Sequence, residues 1–420
     1  MSARLTAALA TLILSLTACG ADDDPGMSAV DELLAVRDGS GSKADQILTM
    51  NASDGAVQQE LPIGTPSFDW SVVYTATAGA ERTTVRSLSV RTGEELASTD
   101  LDGSYRLPPV GPGGLPGGLS HDGRRLVLEG EPEPGASRFA VLDAASLDPI
   151  ADVVLPGSFV YDVLSPDGSV LYLLEYLESD DSGRYQVRAL DVDLGRLRQE
   201  VVVDKVTLQS AMEGHAVAQL LDGDGRISYT VYHNDHHGPF IHALNTTDGT
   251  AICIDLPKAG REHHAAGRYW GLALSADGET LFAANAALGL AAAIDTGGEK
   301  VVRTSSFGTA GPLGGAAATA DGGHKAAPML GAASLSPDGR TLYAASPDGL
   351  AVIDVGSLEL SERLMAGTTV SSVAVSTDAD RLYVAAGGLI SVLDRTSGER
   401  LGEFVEASQP YGMVSLTRES

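Results

Sequence analysis

Histidine is the residue type with the clearest capacity for chemistry in this sequence, and its distribution is uneven. Seven of the nine histidines lie between His215 and His264. Six of these fall in loops, or at a strand start, that we place below on one face of the fold: His215, His233, His236, His237, His263 and His264. Imidazoles that converge from neighbouring loops, with Asp235 or Glu262 as an oxygen ligand, suit Zn²⁺, Cu²⁺ or Ni²⁺. A divalent-metal site at these histidines is therefore one hypothesis.

The alternative for these histidines is a set of solvated loop side chains. Neither the H-E-x-x-H spacing of zinc proteases nor a paired-cysteine pattern accompanies them. The sequence also lacks a G-x-S-x-G nucleophile elbow and a C-x-x-C-H haem-attachment motif. We therefore assign no catalytic residue, and we expect no cofactor other than that divalent metal.

The charge balance excludes one class of partner. The 420 residues contain 56 Asp and Glu against 28 Lys and Arg, for a formal net charge of −28. Such a chain repels phosphate backbones, so we expect no nucleic-acid partner. Since 43 % of the residues are hydrophobic, the chain can nevertheless bury a large core.

The N-terminus has the pattern of a secretory signal. One positive charge at Arg4 is followed by an apolar stretch over residues 5–16, which is shorter than a membrane-spanning helix. The following Leu16-Thr-Ala-Cys19 resembles the bacterial lipobox. That resemblance implies cleavage after residue 18 and lipidation of Cys19, which would anchor the protein outside the cytoplasm of a bacterium. The alternative is a soluble secreted protein in which Cys19 stands at the cleavage site by chance.

The remaining chain divides into a tether and a fold. Residues 19–29 are rich in Gly, Pro and Asp and are typical of a solvated tether, and residues 30–420 form the folded part. Cys253 is the only other cysteine, so we expect no disulfide and interpret it as a buried structural thiol. His242, Trp70 and Trp270 are interpreted as packing residues.

A Ser-x-Asp-Gly motif recurs along the folded part and predicts repeated structure. Four copies begin at Ser120, Ser165, Ser275 and Ser336, and three looser versions begin at Ser67, Asp222 and Ser376. Asp-Gly supplies the backbone geometry of a tight hairpin, and each motif is followed by a short apolar strand. Because the aspartates recur in nearly every unit, we interpret them as turn-capping rather than catalytic residues.

Repeats of about 40 to 60 residues, each with several short strands, are typical of the blades of a β-propeller. The stretches Leu335-Ser-Pro-Asp-Gly-Arg-Thr-Leu-Tyr343 and Ala351-Val-Ile-Asp-Val355 resemble the YVTN and WD40-like repeats of bacterial extracytoplasmic proteins. The resemblance implies an all-β fold: a single β-propeller of four-stranded antiparallel blades. A blade cannot bury both of its faces until its neighbours pack on it, which accounts for the repetition.

The two chain ends decide the number of blades. Residues 30–65 supply three predicted strands without a preceding turn motif, and residues 411–416 supply one strand more. A C-terminal strand that pairs with the N-terminal strands would close the ring and remove its open edges. With seven internal units, this gives eight blades. Seven blades is the alternative.

The longest predicted loops lie on the face opposite the Ser-x-Asp-Gly turns. They span residues 175–186, 232–239, 257–267 and 304–330, and long loops on a rigid scaffold are the usual place for binding sites. We therefore predict a monomeric, membrane-anchored, non-catalytic binding or scaffold protein whose protein, peptide or glycan partner docks on that face. The alternative is a propeller enzyme, resembling lactonases or metal-dependent oxidoreductases and hydrolases, with a His-rich site between blades five and six.

Overall fold

The computed structural model describes most of the predicted propeller. It covers residues 32–39, 45–79, 81–109, 117–177, 184–204, 211–233, 238–259, 266–267, 269–308, 333–405, 407 and 410–417. Nearly all regular structure in these ranges is β-strand. In this part of the chain, no helix is long and apolar enough to cross a membrane.

The strands form eight antiparallel sheets, and we count as blade one the sheet that both chain ends build. Blade one contains β1 (Glu32–Asp38), β2 (Gln46–Asn51), β3 (Val57–Pro62) and the last strand, β33 (Pro410–Thr417). Blade two contains β4 (Thr65–Pro66), β5 (Val72–Ala78), β6 (Arg82–Ser89) and β7 (Glu95–Asp102). Blade three contains β8 (Tyr105–Arg106), β9 (Arg125–Gly130), β10 (Ala136–Asp143) and β11 (Pro149–Pro156).

The next three blades continue the pattern. Blade four contains β12 (Ser158–Leu164), β13 (Val170–Tyr176), β14 (Arg184–Asp191), β15 (Arg196–Val202) and the short β16 (Ala211–Glu213), which also pairs with β14. Blade five contains β17 (His215–Leu221), β18 (Ile227–His233), β19 (Phe240–Asn245) and β20 (Thr250–Asp255). Blade six contains β21 (Gly271–Leu274), β22 (Thr280–Asn285), β23 (Leu290–Asp295) and β24 (Lys300–Ser306).

The last two blades complete the ring. Blade seven contains β25 (Ala333–Leu335), β26 (Thr341–Ser346), β27 (Gly349–Asp354) and β28 (Leu360–Leu364). Blade eight contains β29 (Val370–Val375), β30 (Arg381–Ala386), β31 (Leu389–Asp394) and β32 (Arg400–Phe404). The eight-bladed propeller is thus confirmed, and the seven-bladed alternative is wrong.

The first strand of blades two to eight, and β33 in blade one, lies innermost. β17 contacts β21, β21 contacts β25, β25 contacts β29 and β29 contacts β33, so these strands surround a central channel. Each inner strand runs from the face with the long loops, here called the loop face, to the face with the Ser-x-Asp-Gly turns, here called the turn face. Blade three departs from the pattern: among its described residues, the inner strand pairs with β9 at Tyr105 and Arg106 and again at Leu119.

The recurrent turns are held by their own side chains. In blade seven the Ser336 hydroxyl donates to Asp338 Oδ1 at 2.5 Å and accepts the Thr341 N–H at 3.0 Å. Gly339 adopts a left-handed backbone conformation with φ +68°. These bonds, led by that from Ser336, hold the pKa of Asp338 below its usual value. The turn aspartates are therefore structural, as predicted.

Both chain ends build blade one, as predicted. β33 pairs with β1 along nearly its whole length, and Leu34 lies opposite Ser415 while Val36 lies opposite Met413. A buried cluster that includes Leu34, Val36 and Met413 packs against Tyr383 and other residues of blade eight. The C-terminal strand therefore seals the ring and also contributes to the core between blades one and eight.

The seal predicts a cost for weakening β33. Met413 is 3 % exposed, so Met413→Ala should lower the free energy of unfolding by about 2–5 kcal/mol in urea denaturation. The control Leu401→Ala removes a side chain that is 45 % exposed and should change it by less than about 0.5 kcal/mol. Equal losses in the two variants would contradict the sealing role of β33.

Candidate functional site

Two of the six predicted metal-binding histidines lie within the described residues, and they lie side by side. His215 begins β17, His233 ends β18, and the two are register partners in blade five. His215 is exposed, whereas the His233 ring packs against Gly267, where an added Cβ would stand 2.3 Å from the ring Cε1.

The other predicted ligands fall outside the described part of the chain. They are His236, His237, His263 and His264, together with Asp235 and Glu262. Among the residues that the structure does describe, no group of three or more His, Cys, Asp or Glu side chains converges on one point. The metal site, and the enzyme alternative built on it, stay predictions. Cys19 and residues 309–330 of the predicted loop 304–330 also lie outside the described residues, whereas residues 304–306 belong to β24.

Cys253 and His242 lie opposite each other on β20 and β19, and both are neutral. Burial, followed by the charge of Asp204, raises the pKa of the Cys253 thiol to about 12. Burial also lowers the pKa of His242 to about 4. Asp204 Oδ2 accepts the Cys253 N–H at 2.6 Å, so this carboxylate is held by backbone. A protonated thiol in these surroundings is a packing group and not a nucleophile.

The loop face carries a cavity of about 470 Å³ between blades three and four. Most of its lining comes from three pieces of chain: the end of β9 to the start of β10 (within residues 129–139), the start of the inner strand β12 with Gly157 (residues 157–160), and the end of β13 with Leu177; Arg106 of β8 completes it. The predicted face is therefore the one that bears the cavity. It lies one blade before the histidines, beside the predicted long loop at residues 175–186.

A buried ion pair forms part of the cavity wall. Arg106 Nη2 donates to Glu129 Oε2 at 3.2 Å, and the Glu129 side chain is only 5 % exposed. The other carboxylate oxygen accepts the backbone N–H of Tyr161 in blade four at 2.6 Å. Burying a carboxylate is costly unless it is paired and hydrogen-bonded, and here both conditions are met. The pair therefore joins blades three and four at the cavity.

A second ionic group stiffens the rim. Arg138 lines the cavity and donates through Nε to Asp152 Oδ1 at 2.9 Å, with a further bond from Nη2 to Oδ2. The hydrogen bonds from Arg138 lower the pKa of Asp152. The Tyr105 hydroxyl donates to the same carboxylate at 3.2 Å. Burial is the main cause that raises the pKa of Tyr105 to about 12. Since Arg138 also lies over the Tyr105 ring at 5.4 Å, its head group is held in place.

The channel contains a second hollow, of about 250 Å³, which we call the channel pocket. It opens toward the turn face, and residues of blades two to five line it, among them Thr65, Gly117, Asp162 and Gln219. Asp162 stands at a β-bulge, where the register of β12 against β13 shifts between Tyr161 and Val163. Neither Asp162 nor Gln219 belongs to a sequence motif or a predicted long loop.

The carboxyl group of Asp162 is almost fully buried. It is 8 % exposed, and Gln219 Nε2 lies 3.4 Å from both its Oδ1 and its backbone oxygen. Burial raises its pKa from 3.8 to about 7, and the bond from Gln219 opposes that shift only in part. A carboxyl with so strongly raised a pKa beside a cavity is a candidate functional group.

Solved structures share the propeller fold at low sequence identity. The dihydro-heme d1 dehydrogenase NirN, in complex with DHE, is 15 % identical with a TM-score of 0.55, over 92 % of this chain and 75 % of that one. Apo AztD from Citrobacter koseri is 14 % identical with a TM-score of 0.56, over 92 % and 98 %. The periplasmic gluconolactonase PpgL of Pseudomonas aeruginosa is 17 % identical over 92 % of this chain and 99 % of that one, with a TM-score of 0.48.

These likenesses establish the fold alone. No protein-family model matches the chain, and no curated protein matches it. What this protein binds must therefore be argued from its own cavities and charges.

The position of Asp162 predicts an unusual pH dependence of stability. Between about pH 4 and pH 7 the unfolded chain has lost a proton that folded Asp162 still holds. The free energy of unfolding should therefore fall by at most about 4 kcal/mol as the pH rises through this window, and not change further above it. Asp162→Asn removes this loss, so the melting temperature of the variant should exceed that of the parent increasingly from pH 4 to pH 7.

The matched control is Asp102→Asn, because the Asp102 side chain is 96 % exposed. Its melting temperature should follow that of the parent across the same pH range. A constant difference between Asp162→Asn and the parent from pH 4 to pH 7 would show that Asp162 ionises normally.

Proposed function

We propose that this protein is a lipid-anchored, extracytoplasmic β-propeller that binds a partner non-catalytically through its loop face. The cavity between blades three and four is the observation that carries this proposal. Its volume of about 470 Å³ is within the range of ligand-binding sites. Its walls are held by the Arg106–Glu129 pair and by the Arg138–Asp152 pair, so the shape is formed before a ligand arrives.

The lining favours a polar, extended ligand such as a peptide or glycan segment. Arg106, Glu133 and Arg138 place charges of both signs around the cavity, and Phe159 and Tyr176 add aromatic surface. Tyr176 is 38 % exposed, so part of its ring is open to contact. Aromatic faces beside hydrogen-bonding groups suit sugar rings and peptide planes, whereas a purely apolar ligand would leave these charges desolvated.

The anchor rests on the sequence of the first 29 residues. Residues 1–18 have the pattern of a signal peptide, Leu16-Thr-Ala-Cys19 matches the lipobox, and residues 19–29 have the composition of a tether. Two acyl chains on one cysteine give stable attachment, because each buried methylene contributes about 0.8 kcal/mol. The protein would then lie in the cell envelope, on the extracytoplasmic side of a bacterial membrane.

The anchor is tested by Cys19→Ser. In a bacterial host, the parent should fractionate with membranes, and its mature N-terminal peptide should carry the mass of a diacylglyceryl group. The variant should lose that mass and appear in the aqueous fraction. Membrane association that survives the substitution, without added lipid mass in the parent, would contradict the anchor.

The binding site is tested by a pair of Ser→Trp variants. Ser158 is exposed and lines the cavity at the start of β12, so Ser158→Trp fills the hollow without removing a core contact. Ser361 is exposed on the outer strand β28, so Ser361→Trp adds the same bulk far from the cavity. On arrays of peptidoglycan fragments, glycans and peptides, the parent and Ser361→Trp should bind the same ligand, and Ser158→Trp should bind it at least about tenfold more weakly.

Two results would count against this function. Equal binding by both variants would place the site elsewhere, and chemical turnover of the bound compound would contradict a non-catalytic role. Circular dichroism and melting curves of both variants ensure that a loss of binding does not reflect unfolding.

A further inference from the structure

We propose that the channel pocket binds a small organic cation, with Asp162 as its counter-ion and the side chains of Phe68 and Trp70 as its aromatic rim. This site is separate from the loop-face cavity. The two lie toward opposite ends of the inner strand β12, since residues 158–160 line the cavity and residues 161–163 line the channel pocket. Its test therefore does not depend on the function proposed above.

The channel pocket contains an acidic group without a basic group beside it in the described lining. Of the described residues that line the channel pocket, only Asp162 and Tyr161 have ionisable side chains, and the Tyr161 phenol stays neutral at neutral pH. When Asp162 is ionised, the pocket carries a negative charge for which the described lining provides no cation. A net charge of −28 on the chain adds a field that attracts cations toward it.

The groups around Asp162 on neighbouring strands do not offset that charge. Gln219 of β17 is an amide, and the phenols within electrostatic range are Tyr161, Tyr176, Tyr185 and Tyr232, each with a pKa raised first by burial and further by Asp162. Glu129 is also near Tyr161 and Tyr176, but it is already paired with Arg106. A ligand is thus the natural source of the missing positive charge.

The channel pocket also has an aromatic rim. Phe68 is 49 % exposed and contacts the His121 ring of blade three at 4.3 Å between centroids. Trp70 both packs against the core between blades one and two and lines the pocket, so the predicted packing role covers only part of its contacts. Aromatic faces attract cations through their quadrupole, and ammonium ligands use such surroundings widely.

Trp70 also occupies a backbone position that disfavours it. Its φ is +57°, at the point where five other blades place a glycine with positive φ: Gly123, Gly168, Gly225, Gly278 and Gly339. A large L-residue in the left-handed region is strained, and such strain persists where the surroundings impose it and concentrates at ligand sites. Blade eight also departs from glycine here, with the small Ala379 at φ +66°, but blade two carries the bulkiest side chain, and its turn borders the pocket.

The pocket lining offers too few oxygen ligands for a metal ion and suits an organic cation better. Calcium requires six to eight oxygen ligands and magnesium close to six. Among the described lining residues, Asp162 offers the only carboxylate, and the amide nitrogen of Gln219 is turned toward it. A volume of about 250 Å³ is roughly that of eight waters and holds a compact ammonium compound.

Binding must then be coupled to a proton. Below neutral pH Asp162 is a neutral acid, and a cation binds with release of that proton to solvent: carboxyl plus cation gives ion pair plus H⁺. With a pKa near 7, the ionised fraction rises from about 0.1 at pH 6 to about 0.9 at pH 8. Affinity for the cation should therefore increase about tenfold across this interval.

The experiment uses choline, ethanolamine and 3,3-dimethylbutan-1-ol, the last being the neutral isostere of choline. Calorimetry on the parent should show binding of at least one cation at pH 8, about tenfold weaker binding at pH 6, and no binding of the isostere. Asp162→Asn should abolish the cation preference and the pH dependence. Asp102→Asn and His121→Gln should retain both, which excludes a general charge effect and titration of the histidine beside Phe68.

A second variant tests the rim without touching the buried carboxyl. Phe68→Ala removes a half-exposed ring and should weaken cation binding about two- to fivefold. Binding to phosphatidylcholine vesicles as well as to free choline would assign the cation to a lipid headgroup, and binding to free choline alone would assign it to a solute. Equal binding of choline and its isostere, or no cation binding at pH 8 to the folded parent, would overturn the proposal.

Discussion

Every blade of this protein has two apolar faces, and neither is covered until the neighbouring blades are in place. The buried clusters accordingly lie between blades and not within them: Trp270 joins blades five and six, and Tyr383 joins blade eight to blade one. An open row of such blades would be unstable, because its terminal blade would expose one apolar face and one row of backbone donors and acceptors to water. The pairing of β33 with β1 is therefore the contact on which the other seven sheets depend.

The ring also explains where chemistry can reside. Turns and strands that repeat must satisfy the same packing in each blade, so the Ser-x-Asp-Gly side chains are occupied by their own backbone. Sites arise where one blade departs from the repeat. The inner strand β8 of blade three ends at Arg106, blade four carries a carboxyl in a bulge at Asp162, and blade two places Trp70 where five other blades have glycine and blade eight has Ala379.

This division sets what the sequence can predict. The blade count, the structural turns and the closure by both chain ends follow from repetition and were predictable, since seven copies of one signal reinforce one another. The face with the cavity followed from loop length alone. The Arg106–Glu129 pair, the channel pocket and Asp162 did not follow, because each depends on single residues of particular blades, and the position of Asp162 also depends on a bulge that shifts the register. Glu129 at the end of an apolar strand was the one available hint.

The direction of β1 has a consequence for orientation. Glu32 lies opposite Thr417, the last residue of the inner strand β33, so the polypeptide enters the propeller on the turn face. A lipid at Cys19, about a dozen residues before Glu32, would therefore be joined to the turn face through the predicted tether. The channel pocket would then lie on the same side of the propeller as the anchor. The loop-face cavity would lie on the opposite side and stay accessible to partners in the envelope.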